Sequence, residues 1–228
     1  MADYIIIVAG GKGLRMGEPI PKQFLLLNDK AILMHTLEKF YHHNPELKII
    51  LALPSDHQEY WTKLCSEQGF DIPHIVVNGG QTRFHSVLNA LGAINDDSGL
   101  TGVHDGVRPF VTTEVIDRCF NAAKQDGAAI PVIFPADSIR EADDKGSHAR
   151  NRDRFRLVQT PQVFRTDLLK KAYSNGYRES FTDDASVVEA AGHAITLVEG
   201  NQENIKITSP FDMMVAHVIV SGDCDQKG

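Results

Sequence analysis

The chain is short of cysteine and of positive charge, and each shortage excludes a class of protein. Its three cysteines, Cys65, Cys119 and Cys224, are odd in number, far apart and in no C-x-x-C pair. That excludes a disulfide framework and a thiolate zinc site and points to a reducing compartment. Lysine and arginine number 23 against 30 acidic residues, a net charge of −7. A nucleic-acid binder or an anionic-membrane binder would carry a basic excess, so neither partner is expected. The longest early apolar run, Tyr4 to Ala9, is too short for a membrane span or a signal core. A soluble cytoplasmic protein is the expectation. Ten histidines form no H-E-x-x-H and no tight Cys/His cluster, no nucleophile elbow occurs, and there is no internal repeat.

What is present is an alternation of short Ile/Val-rich runs with longer amphipathic stretches. The runs at Tyr4–Val8, Lys48–Leu53, His74–Val77, Gly102–His104, Ala128–Phe134, Ala194–Val198 and Ile205–Ile207 read as strands buried on both faces of a parallel sheet. Helical patterns fall at Ile32–Tyr41, Ser55–Gln68, Thr82–Ile94, Thr113–Gln125, Thr166–Tyr173, Asp183–Ala191 and Ser209–Val220. Ser55 to Gln58 reads as a capping box, and Ser209-Pro210 as a Ser cap with Pro at the first helical position. The expected fold is a three-layer α/β/α sandwich, Rossmann-like, with a mostly parallel sheet. Over 228 residues this makes one domain, 1–228. The polar, charged stretch 135–154 breaks the alternation. With Asp144-Lys145-Gly146 as a hairpin tip, it is either a solvated loop or a protruding β-arm that reaches a second subunit.

After the first strand comes Ala9-Gly10-Gly11-Lys12-Gly13-Leu14-Arg15-Met16-Gly17. Glycines there let backbone N–H groups approach a phosphate. No G-x-x-x-x-G-K-[ST] string occurs. The dinucleotide fingerprint fails at Met16, and Pro19 and Pro21 would interrupt the helix whose N-terminus must face the pyrophosphate. Lys12, Arg15 and Lys22 lie on or beside this loop, a local inversion of charge suited to a polyanion such as a nucleoside triphosphate. Lys22, just after Pro21, can swing back over it.

The loop, followed by Pro21-Lys22-Gln23, resembles the G-x-G-x-R-M…P-K-Q signature of the sugar-phosphate nucleotidyltransferases. Five more blocks narrow the resemblance. They are Gly79 to Arg83 with Ser86, Val103 to Pro109, Gln159 to Gln162, Thr182 to Ser186, and Val198 to Gly200 leading to Asn204–Thr208. In that order they resemble the 2-C-methyl-D-erythritol 4-phosphate cytidylyltransferase family, from Ile5 to about Ile219. Ribitol-5-phosphate cytidylyltransferases share most of the blocks and remain the alternative. An NAD(P)-dependent oxidoreductase and a non-catalytic nucleotide-binding module are the alternatives of other classes.

The resemblance implies roles residue by residue. Ala9, Gly10, Gly11 and Gly13, with Arg15 and Lys22, would hold the CTP triphosphate. Gly80, Gln81 and Ser86 would line the cytosine and ribose site, with Gly106 nearby. Asp105 would sit beside Mg²⁺ and the reacting phosphates, and Lys206 would contact phosphate from the far side. Arg108, Ser138 and Arg152 would grip methylerythritol phosphate, the last two from the arm of a second subunit in a homodimer, with Thr160 and Thr182 completing the pocket. Arg15, Lys22, Arg152 and Lys206 are the implied catalytic group. Gly10 stands where many members have Ala, Gln81 where some have Asp, and Ser138 where Thr is usual.

Overall fold

A computed structural model describes residues 1–11 and 20–225, with side chains through residue 222. The loop calls on Lys12, Gly13 and Arg15, and the thiol of Cys224, therefore lie outside the described residues.

In chain order the elements are β1 (Tyr4–Val8), β2 (Leu26–Leu27), β3 (Lys30–Ala31), α1 (Ile32–His43), β4 (Lys48–Leu53), α2 (Ser55–Glu67), β5 (Ile75–Asn78), α3 (Arg83–Leu91), β6 (Leu100–Asp105), α4 (Thr113–Asp126) and β7 (Ala128–Ile133). There follow β8 (Ile139–Asp143), β9 (Gly146–Arg150), β10 (Leu157–Val158), β11 (Gln162–Arg165), α5 (Thr166–Tyr173), α6 (Asp184–Ala190), β12 (Thr196–Glu199) and α7 (Pro210–Asp225).

Strands β5, β4, β1 and β6 lie side by side and parallel. Strand β7 pairs in parallel with β12. Between β6 and β7 runs a return strand, β11, antiparallel to both, and β10 ahead of it pairs antiparallel with β7. Along β7 its register shifts by two residues across Gln159-Thr160-Pro161, where the Thr160–Pro161 peptide is cis. The mostly parallel sheet agrees with the sequence reading, which named no strand in this stretch; β10 and β11 are too short and too interrupted to stand out as an apolar run.

Period-two alternation divides the sheet between two cores. Ile5, Ile7, Ile49, Leu51 and Leu53 face α1, α2 and α4 through Leu37, Phe40, Trp61, Val115 and Ile116. Tyr4, Ile6, Ile50 and Ala52 face α3, α5 and α6 through Phe84, Val87, Leu169, Tyr173 and Val188. This is the three-layer α/β/α arrangement. Helix α7 closes a third, smaller cluster with Leu27, Ile32, Val107, Phe110 and Ile207.

Two local expectations are corrected. Helix α2 starts at Ser55 with Pro54 in the capping position and no side-chain cap; Gln58 bonds instead to the Leu53 carbonyl and to Asn78. Ile205–Ile207 forms no strand: the Ile205 N–H turns back to the Glu203 carbonyl, and the bond from the Ile207 N–H to the Val107 carbonyl is not extended into a ladder. The start at Ser209 holds: its Oγ accepts from the Asp212 N–H, while the Asp212 carboxylate accepts from the Ser209 N–H. Strands β8 and β9 form the hairpin expected at Asp144-Lys145, a separate two-stranded sheet, exposed along nearly its whole length.

Candidate functional site

The sheet delivers its site at the carboxyl ends of β1 and β6, which are neighbours with Val8 opposite Asp105. Ligands in open α/β sheets bind at such ends. A cavity of about 290 Å³ opens there, walled by Val8–Gly11, Lys22, Gln23, Gly80–Arg83, Ser86, Asp105, Val107 and Lys206.

Each wall has a local cause. Lys22 sits in a single 3₁₀ turn, Lys22–Phe24, and is only 8% exposed. Its Cε lies 3.5 Å from where a Cβ on Gly11 would stand, so the side chain lies back over the glycine loop. This is the swing back over the loop that the sequence allows. Gln23, almost fully buried, donates from Nε2 to the Ala9 carbonyl at 2.9 Å and pins the loop to the turn. Ser86 shapes the opposite wall: its Oγ accepts from the Gly80 N–H and donates to the Thr82 carbonyl, both at 3.0 Å. A Cβ on Gly80 would fall 2.3 Å from the His85 Cβ, so only glycine lets that turn pack on the first turn of α3. A Cβ on Gly10 would meet only Ser86 Oγ, at 3.8 Å, which explains why alanine is acceptable there.

Asp105 is the electrostatic centre. Arg108 Nε is 3.1 Å and Lys206 Nζ 3.0 Å from its Oδ2, and Arg83 Nε is 3.5 Å from its Oδ1. Burial pushes this carboxyl up, but the fields of Arg83, Lys206 and Arg108 outweigh it and hold the group well below the usual carboxylate range. Arg108 is itself tied to the Asn204 carbonyl at 2.8 Å, and buried Asn204 donates to the Thr160 carbonyl at 2.8 Å. The loop carrying Lys206 is thus fastened to the strand end it serves.

Thr160 works beneath the site, with its hydroxyl spent inside the protein. It accepts from the Asp105 N–H at 3.2 Å and lies 3.0 Å from His104 Nδ1. Nε2 of His104 faces the Arg108 carbonyl at 2.9 Å and so carries the ring proton, which makes Nδ1 the acceptor of the Thr160 O–H. Burial is the main cause that lowers the His104 pKa to about 4, against the raising effect of its bond to Arg108. His104 is therefore a neutral support. Gly106 serves packing: a Cβ would meet Leu33 at 2.9 Å and Ala9 at 3.2 Å.

Ser138, Arg152 and Thr182 are exposed and do not line this cavity. Arg152 lies in a 3₁₀ turn just after β9 and donates to the Ala136 carbonyl. Thr182 lines a small hollow of about 20 Å³ that shares Arg83 with the main cavity. Burial pushes the Cys65 thiol up to about 11 and Cys119 to about 12, which removes both as thiolates at neutral pH. Sequence reasoning gave Arg83 and Gln23 no role, although both stand in quoted blocks. Their signal is a charged or polar residue type at a spot whose partners become visible only on folding.

Comparison with known proteins follows the same outline. The pattern of the family described as 2-C-methyl-D-erythritol 4-phosphate cytidylyltransferase matches residues 4–222. A relative of that name in Bacteroides fragilis is 54% identical over 220 residues, 96% of this chain and 100% of its own. Another in Porphyromonas gingivalis is 48% identical over 219 residues, 96% of this chain and 97% of its own. The crystal structure of 4-diphosphocytidyl-2C-methyl-D-erythritol synthase from Anaerococcus prevotii superposes with a TM-score of 0.83 at 28% identity, covering 96% of both chains. That of 2-C-methyl-D-erythritol 4-phosphate cytidylyltransferase from Francisella tularensis gives 0.80 at 33% identity, covering 96% of this chain and 99% of that one.

Proposed function

Because the chain belongs to the 2-C-methyl-D-erythritol 4-phosphate cytidylyltransferase family, we propose that the Asp105 cavity is where its reaction takes place. The enzyme transfers the cytidylyl group of CTP to 2-C-methyl-D-erythritol 4-phosphate, giving 4-diphosphocytidyl-2-C-methyl-D-erythritol and pyrophosphate. One observation carries the site: a single buried carboxylate ringed by three cations, facing a glycine loop that a buried lysine covers.

The chemistry asks little proton transfer of the protein. A phosphomonoester has its second pKa near 6, so at pH 7 the acceptor oxygen is already ionised. That oxygen attacks the α-phosphorus in line, the bond to the bridging oxygen breaks, and pyrophosphate leaves with the electron pair. What remains is to bring two anions together and to stabilise charge on the leaving group. Lys22 over the glycine loop suits the leaving pyrophosphate, together with Arg15 as the family implies. Lys206 and Arg108, fixed through Asp105 and Asn204, suit the acceptor phosphate. Gly80, Gln81 and Ser86 suit the nucleoside, Gly106 and Thr160 act as supports, and Thr182 lies on the acceptor side.

A divalent cation fits this donor set only as a guest of the nucleotide. Among the described residues no three metal-binding side chains cluster. Asp105 Oδ1, whose ion pair among the described residues is the 3.5 Å one to Arg83 Nε, would be the oxygen to face such an ion. Mg²⁺, which keeps water and phosphate ligands, would supply charge neutralisation there. We further read the chain as one nucleotidyltransferase domain with an arm at 135–154, working as a cytoplasmic homodimer in which Ser138 and Arg152 reach the partner's acceptor pocket. The exposure of both residues and their separation from the cavity of their own chain support that reading. Among the described residues no helix is long and apolar enough to cross a membrane.

Pyrophosphate release, measured with each of four nucleoside triphosphates against methylerythritol phosphate and ribitol phosphate, tests the reading. CTP with methylerythritol phosphate should be fastest by at least about tenfold, roughly 1.4 kcal/mol of transition-state preference. Faster turnover with ribitol phosphate or with UTP overturns the substrate assignment.

A further inference from the structure

Asp184 is a carboxylate with no solvent exposure, set in an aromatic nest. Its Oδ1 accepts from the Tyr173 hydroxyl at 2.6 Å and its Oδ2 from Arg83 Nη2 at 2.7 Å. Phe84 stacks on Tyr173 with centroids 4.5 Å apart, and Phe181 lies stacked with Phe84 at 6.0 Å. An ion pair whose carboxylate is fully buried while its guanidinium is 27% exposed is weak as a stabiliser, because apolar side chains of similar size pack at the buried end without the desolvation penalty. Its charge therefore calls for another explanation, and Arg83 supplies one. The same guanidinium lines the Asp105 cavity and turns Nε toward Asp105 Oδ1.

We propose that Asp184 and Arg83 are a positioning pair for cytidylyl transfer: Asp184, out of reach of any ligand, anchors Arg83 so that the free edge of the guanidinium orients Asp105. The inference rests on the cavity being the reaction site. The two contacts are unequal, 2.7 Å to Asp184 against 3.5 Å to Asp105. The tight one is structural and the loose one is adjustable, so Asp105 can exchange Arg83 for a ligand while the guanidinium stays in place. Only arginine fits this task, since its planar fork presents donors along separate edges while lysine offers one point charge. Burial works against the Arg83 charge, but Asp184 and then Asp105 outweigh it and push its pKa further up, so the guanidinium stays charged throughout the working pH range.

The test compares steady-state kinetics of Asp184→Asn, Tyr173→Phe and Arg83→Lys with thermal unfolding of each. Asp184→Asn should lower kcat by about tenfold, with the KM for CTP changed by less than about threefold, because transition-state alignment is lost rather than nucleotide affinity. Tyr173→Phe removes the other partner of the same carboxylate and should leave kcat at the wild-type value while still lowering Tm. Arg83→Lys, which keeps a charge opposite Asp184, should lower kcat by about tenfold or more. Adding Asp184→Asn to it should produce no further loss in kcat, since residues acting through one another are non-additive. The inference is overturned if folded Asp184→Asn has wild-type kcat, if Tyr173→Phe lowers kcat equally, or if the two losses multiply. Should Asp184→Asn not fold, Arg83→Lys with wild-type kcat overturns it alone. A wild-type enzyme that transfers no cytidylyl group sinks the functional reading instead, which separates the two failures.

Discussion

Asp105 and Glu141 are both carboxylates facing arginine, one at the end of β6 and one on the arm. Asp105 has a side chain 9% exposed, and its three cations come from the start of α3, the loop after β6 and the loop before α7. Glu141 is 61% exposed and pairs with Arg150 across the β8–β9 hairpin. Around Asp105 the partners are brought together by the whole sheet and shielded from water, so geometry and charge reinforce one another. On the arm the partners are near neighbours in solvent, where such pairs contribute little. The Asp105 cluster is thus assembled within one chain, whereas the arm bonds mainly to itself, and the role proposed for it needs a second surface.

The strongest way to break this comparison is to remove a cavity cation whose loss leaves packing intact. Lys22→Met keeps the length that covers Gly11 and deletes the charge. It should lower kcat by a hundredfold to about a thousandfold, the range for losing one donor aimed at developing charge. Circular dichroism and Tm should stay close to wild type. Near-normal turnover in that folded variant would take Lys22 out of the chemistry.

Acid sharpens the comparison through His104. Its folded pKa of about 4 lies below the ordinary 6.5, so between those values the unfolded chain binds the extra proton. Stability contributed by neutral His104 is complete above about pH 6.5 and is lost as pH falls toward 4, at most about 3 kcal/mol. Asp105 is depressed as well, but it starts from 3.8, so its contribution is lost only at lower pH. Urea unfolding across pH 4–7 should give a slope in wild type that His104→Asn largely removes. Parallel slopes would place the proton uptake on another histidine.

Much of this was legible in the residues before folding, and what was missed has a common cause. The ends of β1 and β4 match the Ile-rich runs, because strands buried on both faces write themselves as uninterrupted apolar sequence. The arm's turn is legible for the same local reason, at Asp144-Lys145. The antiparallel return Leu157–Arg165 escaped because Gln159-Thr160-Pro161 divides it into pieces too short to show a period. Arg83 escaped because its meaning lies in Asp105 and Asp184, distant in sequence and joined by α3 and α6 packing on the same face. Thr160 was expected to touch the acceptor, yet its hydroxyl is held by His104 and the Asp105 peptide.

Two glycines put the same contrast on a smaller scale. Gly80→Ala places a Cβ 2.3 Å from the His85 Cβ and 2.8 Å from its carbonyl carbon, so the backbone of α3 must move. A cost of about 2–3 kcal/mol and a raised KM for CTP are expected, as for overpacking. Gly146→Ala on the arm meets nothing within 4 Å but is strained at φ +137°, which should cost only about 1 kcal/mol. Equal losses of Tm in the two variants would erase the distinction between a packed turn and a free one.

The smallest signal decides whether the arm serves a partner. Lys22→Met and Arg152→Ala chains, each inactive as a homodimer, are mixed and allowed to exchange subunits. If Arg152 acts across the two-fold axis, the mixed dimer contains one site with both lesions and one with neither. Random pairing makes about half of the dimers mixed, so roughly a quarter of wild-type site activity should return. If Arg152 acts within its own chain, every site keeps one lesion and mixing restores nothing. Exchange is verified with a mass-tagged subunit, so that absence of recovery has one meaning. That result would assign Arg152 to its own chain, and the exposed hairpin would then be a solvated surface feature with no catalytic partner.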